Sequence, residues 1–342
     1  MKLEQVSTNN NAGMNELLVT GNEEVLRRAG AYIVTQDTKR LLMRFGVSLP
    51  DQNIQEFNTS VRDALEPIFP VVMTDENEFY DALGAAFTRA CTKANAENAE
   101  VILLDRFISA PGVPTEAFST LSIGRVTTAN GEVLGPRPGD PDVDDQLSVI
   151  QAKMEQRGTN KIILVDDGLS TLDALEPYEN IARAQGWKIV DMVLGVLPSA
   201  PDGDEWNTKK MAIEITGKSP LGVLPVVSPL DWICERDFTL FGGKTVMIDD
   251  VEYPLTAPYF SPFINGQSAS IPADRLNEVS QKILRANQVL VAAIDQQYRQ
   301  PLTFADVLTA GYGLPVSLLG KLPIPKPEDF VGQFIDTALA CV

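Results

Sequence analysis

The sequence predicts an α/β protein: a central parallel sheet, a hairpin flap beside it, and a cap of helices drawn from both ends of the chain. Three observations carry that expectation. Two stretches, EVILLD at 100–105 and KIILVDD at 161–167, hold continuous apolar runs rich in β-branched residues, the pattern of strands covered on both faces. Each run stops at acids and passes into a loop of small residues, and the second loop leads into an amphipathic stretch with helical spacing. Between them Asn130-Gly131 separates two short β-like runs, a strong hairpin signal because both residues accept the positive φ angles of a two-residue turn.

The elements follow in order. Residues 1–22, rich in Asn, Ser and Gly, read as a flexible leader. Val25, Leu26, Ala29, Ile33, Leu41, Leu42 and Phe45 suggest one or two helices over 23–45, and a break follows at 48–51. Helices are expected over 54–68, stopped by Pro70, and over 77–93, where Phe79, Leu83, Ala86, Phe87 and Cys91 share a face. Residues 23–95 thus form a helical region.

The α/β core is expected over 96–245. It takes the strand at 100–107, a loop rich in Pro and Gly, and hairpin arms at 121–126 and 132–134. A helix over 143–157 (Leu147, Ile150, Met154), the strand at 162–165 and a helix over 173–185 come next. Strands at 188–197 and 222–227 and a short helix or turn at 229–236 complete it. Residues 246–342 form a hood and a C-terminal helical region, with helices at 273–297, 304–308 and 327–341 packing against the N-terminal ones.

Composition narrows the chemistry. The 342 residues carry 28 Lys and Arg against 46 Asp and Glu, a formal charge of −18, which disfavours nucleic acid and anionic membranes as direct partners. There is no histidine, which removes Ser-His-Asp and Cys-His nucleophiles, HExxH zinc sites and imidazole bases. Catalysis is left to carboxylates, Lys, Arg, Tyr, backbone amides or a metal held by oxygen. Cys91, Cys234 and Cys341 lie far apart and suggest neither a disulfide framework nor a CxxC site, so a reducing cytoplasm is expected. The N-terminal 19 residues lack the apolar core of a signal peptide, and the sequence contains no 18-residue apolar run, so no membrane span is expected.

The candidate site sits at the step KIILVDDGLSTLDAL, 161–175. Asp166 and Asp167 end a strand, and Gly168, Leu169, Ser170 and Thr171 begin the loop before a helix. In an open α/β sheet ligands bind beyond the carboxyl ends of strands, and a helix start offers free N–H groups to an anion. Acids for sugar hydroxyls and a turn for phosphate suit a phosphorylated ribose. The acids also have a plainer reading, as caps for the following helix. Arg125 and Arg137 on the hairpin are either phosphate contacts or surface charge, and Arg106 after Asp105 is either a pyrophosphate contact or half of an ion pair. Trp232 and Phe238, with Arg236 and Asp237 between them, form a base-stacking wall or belong to core and rim.

This order of strand, two acids, Thr-bearing loop and helix resembles the phosphoribosyl pyrophosphate (PRPP) motif of type I phosphoribosyltransferases, whose core is a Rossmann-like parallel sheet. The resemblance spans about 150 residues, and its motif-specific part is 165–171. It implies that Asp166 and Asp167 bind the ribose hydroxyls, that Gly168, Leu169, Ser170 and Thr171 hold the 5′-phosphate, and that Arg106, Arg125 and Arg137 serve pyrophosphate. It also implies Mg2+ carried by the substrate, a nitrogen nucleophile such as a nucleobase as acceptor, and release of pyrophosphate. Leu172, Asp173 and Ala174 stand where the family has Gly, a variable residue and Thr or Ser. Two functions are therefore open, a transferase and a PRPP- or nucleotide-binding sensor or subunit without turnover. A homo-oligomer or a protein partner is equally open.

Overall fold

The structure, a computed structural model, describes residues 31–108, 112–128, 131–169, 175–196, 212–215, 230–248, 251–253, 255–266 and 269–342. Three sheets organise them. In the first, β1 (Ala31–Gln36) lies between β2 (Val71–Asp75) and β10 (Leu230–Cys234), parallel to both. A strand and then helix α1 (Thr38–Arg44) thus occupy the segment expected to be helical throughout. Tyr32, Ile33 and Val34 are completely buried, and an apolar run covered on both faces mimics helical spacing. Residues 230–234, expected as helix or turn, are also a strand, because pairing with β1 satisfies their backbone; a 3-10 turn, Glu235–Phe238, follows.

The second sheet is fully parallel, with β3 (Glu100–Leu103), β4 (Ser119–Thr120), β7 (Lys161–Gly168), β8 (Lys188–Val196) and β9 (Ala212–Ile215) in the order β4-β3-β7-β8-β9. Its apolar runs have the cause expected of them. Val101, Leu103, Ile163, Val165 and Val193 face one core, and Ile102, Ile162, Leu164, Met192 and Leu194 face another. Helix α3 (Glu76–Glu97) covers the first face with Phe79, Leu83, Ala86 and Phe87, while α4 (Val143–Arg157) and α5 (Glu176–Gln185) cover the second. Alternation vanishes from the sequence because neither face meets water.

Helix α3 also packs on β1 and β2 and so joins the two parallel sheets. Asp75 caps it, accepting from the backbone N–H of Asn77 and Glu78 at 2.8 and 3.1 Å. Around this centre α2 (Asp51–Leu65) packs on α6 (Leu276–Tyr298), which packs on α8 (Val331–Leu339); the short α7 (Phe304–Thr309) precedes α8. Helices from both ends of the chain therefore do share one core. Among the described residues no helix is long and apolar enough to cross a membrane.

The hairpin forms where Asn130-Gly131 placed it, from β5 (Ile123–Thr128) and β6 (Gly131–Pro136). It does not project as a free flap. β5 pairs in parallel with β11 (Lys244–Ile248), which also carries β12 (Val251–Tyr253) and β13 (Leu255–Ala257), so the hairpin is part of a third sheet. Ile123 and Val126 are completely buried, which gives this edge an apolar reason to be covered. The expected strand at 222–227 and the loop at 198–207 lie outside the described residues.

Candidate functional site

Both parallel sheets reverse their winding at the strand pair that carries the acids. In the larger sheet the chain runs from β3 outward to β4 and then returns to β7 on the other side, and the crevice beyond β3 and β7 is where such sheets bind ligands. Asp105 follows β3, and Asp166 and Asp167 are the strand residues of β7 directly before its last residue, Gly168. The smaller sheet reverses in the same way between β1 and β10, with Asp37 just past β1 and Arg236 just past β10.

Arg236 joins the two crevices. One terminal nitrogen, Nη2, donates to Asp105 Oδ2 and to Asp167 Oδ2, each at 3.1 Å. The other, Nη1, donates to Asp37 Oδ2 at 2.6 Å and to the Tyr80 hydroxyl at 3.0 Å, while its backbone N–H donates to Asp37 Oδ1 at 2.9 Å. The Phe107 ring lies 4.3 Å from the guanidinium carbon. Asp105 is locked further by the Phe107 N–H at 2.5 Å. Close approach is built into β8 as well. A Cβ on Gly195 would come within 2.5 Å of both the Asp167 carbonyl oxygen and the Phe79 ring, so only glycine lets β8 lie against the acidic end of β7.

The charges around Arg236 do not cancel. Burial opposes the charge on Asp105, yet Arg236 outweighs it and holds this carboxyl well below its ordinary range. Burial, followed by the negative charge of Asp105, pushes Asp166 up to about 7 and Asp167 well above its usual value. Burial also raises Asp37, raises the Cys234 thiol, which lies 3.9 Å from Asp167, and moves Asp237 to about 6. The result is an acidic cluster with protons available near neutrality, in a chain that has no histidine to supply them.

A cavity of about 1390 Å3 opens onto this cluster. Asp166, Asp167, Gly168 and Leu169 form part of its wall, and Arg137, Arg236 and Lys244 supply cationic wall residues. Trp232, Tyr259 and Tyr312 supply aromatic surface, with the Trp232 indole N–H donating to the Thr35 hydroxyl at 3.0 Å. The space exceeds that of most single-ligand pockets, enough for a sugar phosphate and a second reactant together.

The residues singled out from the sequence divide. Asp166, Asp167, Gly168, Leu169 and Arg137 line the cavity, whereas Ser170 and Thr171 lie outside the described residues, as do Leu172, Asp173 and Ala174. Arg137 is half-buried, with Nε donating to the Ile123 carbonyl at 3.0 Å; burial opposes its charge, and Asp105 first among the nearby acids more than offsets that. Arg125 is placed in β5 opposite Leu134. Arg106 lines the cavity too, but its Nη1 donates to the carbonyls of Pro138 and Gly311 at 3.2 and 3.1 Å and contacts Asp140 at 3.5 Å. Its ion pair is thus with Asp140 rather than with its neighbour Asp105. Trp232 is a wall residue and Phe238 is fully buried core, so the two do not make one stacking surface.

Asp37, Tyr80 and the central role of Arg236 were not anticipated. A weaker signal for Asp37 does exist: in AYIVTQD at 31–37 a short apolar run is followed by Thr35 and Gln36 and then an acid, a looser form of EVILLD and KIILVDD. The carboxylate oxygens of Asp166 and Asp167 are the hard donors that Mg2+ takes, and among the described residues no group of three or more acids, thiols or imidazoles forms a metal cage. When compared with known proteins, the chain matches no family model, no curated protein and no solved structure.

Proposed function

We propose that the cavity binds a phosphorylated ribose, with PRPP as the substrate, and that the protein transfers the phosphoribosyl group to a nitrogen nucleophile with release of pyrophosphate. The observation that carries this reading is the position of Asp166 and Asp167. They are adjacent acids at the winding reversal of a parallel sheet, facing a cavity with Arg137 and Arg236 on its wall.

In this reading Asp166 and Asp167 accept hydrogen bonds from the ribose hydroxyls, and Gly168 and Leu169 begin the turn that holds the 5′-phosphate. Arg137, a planar fork of donors, pairs with phosphate oxygens of the leaving group. Mg2+ bound with the substrate would rest on the carboxylates of Asp166 and Asp167 and would neutralise pyrophosphate charge. The bond from C1 to pyrophosphate breaks and a bond from C1 to nitrogen forms, the leaving oxygen taking the electron pair. The proton that the nucleophile gives up leaves with the released pyrophosphate, since Asp166 holds the ribose and Mg2+ in this reading.

A second reading has its own observation. Asp167 is already engaged by Arg236, which leaves it less free to hold a sugar and favours a protein that binds PRPP or a nucleotide without turning it over. Incubating the full chain with PRPP, Mg2+ and a panel of nucleobases separates the two. Pyrophosphate release with any base supports the transferase, and PRPP binding without release supports the sensor. PRPP that fails to bind at all sinks the transferase, and a nucleotide that also fails to bind sinks the sensor.

A further inference from the structure

We propose that Arg236 is the positioning residue of this site, fixing Asp167 by tying the crevice of the larger parallel sheet to Asp37 of the smaller one. The inference rests on the sugar-phosphate reading above and names the side chain on which the geometry of that site depends.

Four features support it. Arg236 belongs to the smaller sheet by sequence, through β10, yet its Nη2 reaches two acids on adjacent strands of the larger sheet at equal distances of 3.1 Å. Its Nη1 donates to Asp37 and to Tyr80, and its backbone N–H donates to the other Asp37 oxygen, so the guanidinium is fixed on both sides. The Phe107 ring closes one side of that plane at 4.3 Å. Asp37, completely buried, is absent from the cavity wall, and both hydrogen bonds to its carboxylate come from Arg236, so Arg236 is its hydrogen-bonded link to the site. A lysine ammonium is a compact point charge and cannot span both sets of carboxylates. The other charged and titratable groups facing this cluster include Asp166, Asp237, Arg137 and Cys234 on the cavity side, and Glu76, Glu235, Arg40 and Tyr312 around Asp37 and Tyr80.

The test is isothermal titration of the full chain with PRPP and Mg2+, using unmutated protein, Asp37→Asn, Arg236→Lys and the double variant, each checked for folding by urea unfolding. The expected result is a loss of affinity of about tenfold or more for each single variant. The double variant should bind no more than about twofold more weakly than Arg236→Lys alone, because the hydrogen bonds of the Asp37 carboxylate run to Arg236. Binding by folded Asp37→Asn or Arg236→Lys within twofold of the unmutated protein overturns the proposal, as do losses that simply add. Should those variants fail to fold, Tyr80→Phe removes one hydroxyl that Arg236 contacts. It should weaken binding about two- to threefold, and unchanged affinity again overturns the proposal. If the unmutated protein binds no PRPP, the sugar-phosphate reading falls, while the tie is judged without ligand. The urea midpoints of Asp37→Asn, Asp167→Asn and their double variant should be non-additive, and additive midpoints refute it.

Discussion

The two ends of one parallel sheet treat buried acids in opposite ways. At the amino end of β3, Glu100 is completely buried and met by Lys153 at 3.0 Å, Arg157 at 2.9 Å and the Ser119 hydroxyl at 2.7 Å. Beyond the carboxyl end, Asp105 and Asp167 meet Arg236, which also holds Asp37 of the smaller sheet; Asp166 stands next to Asp167 with Arg137 nearby, and burial leaves Asp166 and Asp167 with raised affinity for protons. The first end is neutralised and closed off by helix α4. The second keeps more carboxyls than cations and faces a cavity. A fold that meets the cost of burying charge at one end and leaves it partly unmet at the other marks the second end as the place for a ligand to complete.

The strongest way to break this comparison is to remove the cation on which the carboxyl end depends. Arg236→Met strands Asp37 and Asp105 as buried acids, and we expect a loss of about 3–5 kcal/mol in urea unfolding, with full unfolding of the variant as the extreme outcome. A loss below about 1 kcal/mol would show that the cluster is already neutral without the arginine. Next in size is Gly195→Ala, which forces a methyl against the Asp167 carbonyl and the Phe79 ring. It should cost about 1–3 kcal/mol and displace Asp167, so that PRPP affinity falls with stability.

The amino end answers differently. Glu100→Gln should lower stability by about 1–3 kcal/mol, since Lys153 and Arg157 lose their carboxylate but still reach water, and PRPP affinity should stay unchanged. A drop in affinity there would erase the distinction between the two ends.

The smallest change is expected from pH. Burial first, and the Asp105 charge second, raise Asp166 to about 7 in the folded chain, whereas an unfolded chain titrates near 4. The folded state therefore binds this proton more tightly, so the contribution favours folding fully below about pH 4 and is lost as pH rises through about 7. Glu76, raised to about 7 by burial, and Asp237, raised to about 6, act in the same sense. Asp166→Asn should flatten, without abolishing, the fall in stability between pH 4 and 7, and should stabilise the protein at pH 8 by on the order of 1–2 kcal/mol. An unchanged slope in a pH series of urea midpoints would place the titration elsewhere.

The carboxyl end of the larger sheet was legible in the sequence because its strands are covered on both faces. EVILL and KIILV leave no polar residue to interrupt the pattern, and the acids stand out at their ends. The helix at 143–157 and the paired strands around Asn130-Gly131 were also readable, since local periodicity and turn chemistry decide them. The smaller sheet was hidden. Ile33 falls in helical spacing with Ala29 and Leu41, and only pairing with β2 and β10, about 40 and 200 residues away, makes residues 31–36 a strand. With β1 read as helix, Asp37 had no strand to end and Arg236 no crevice to enter. The anchoring of the hairpin was hidden for the same reason, because β11 lies more than 100 residues beyond it. What the sequence conveyed was local order and the acids it exposed; the arginine that gathers those acids depends on contacts between distant segments.

The most direct test of the central claim is a crystal structure of the full chain with PRPP and Mg2+ at saturating concentration. The ligand is expected in the cavity at the carboxyl ends of β3 and β7, with ribose hydroxyls on the carboxylates of Asp166 and Asp167 and phosphate oxygens near Arg137. An empty cavity under those conditions, or a ligand bound away from Asp166 and Asp167, would contradict it.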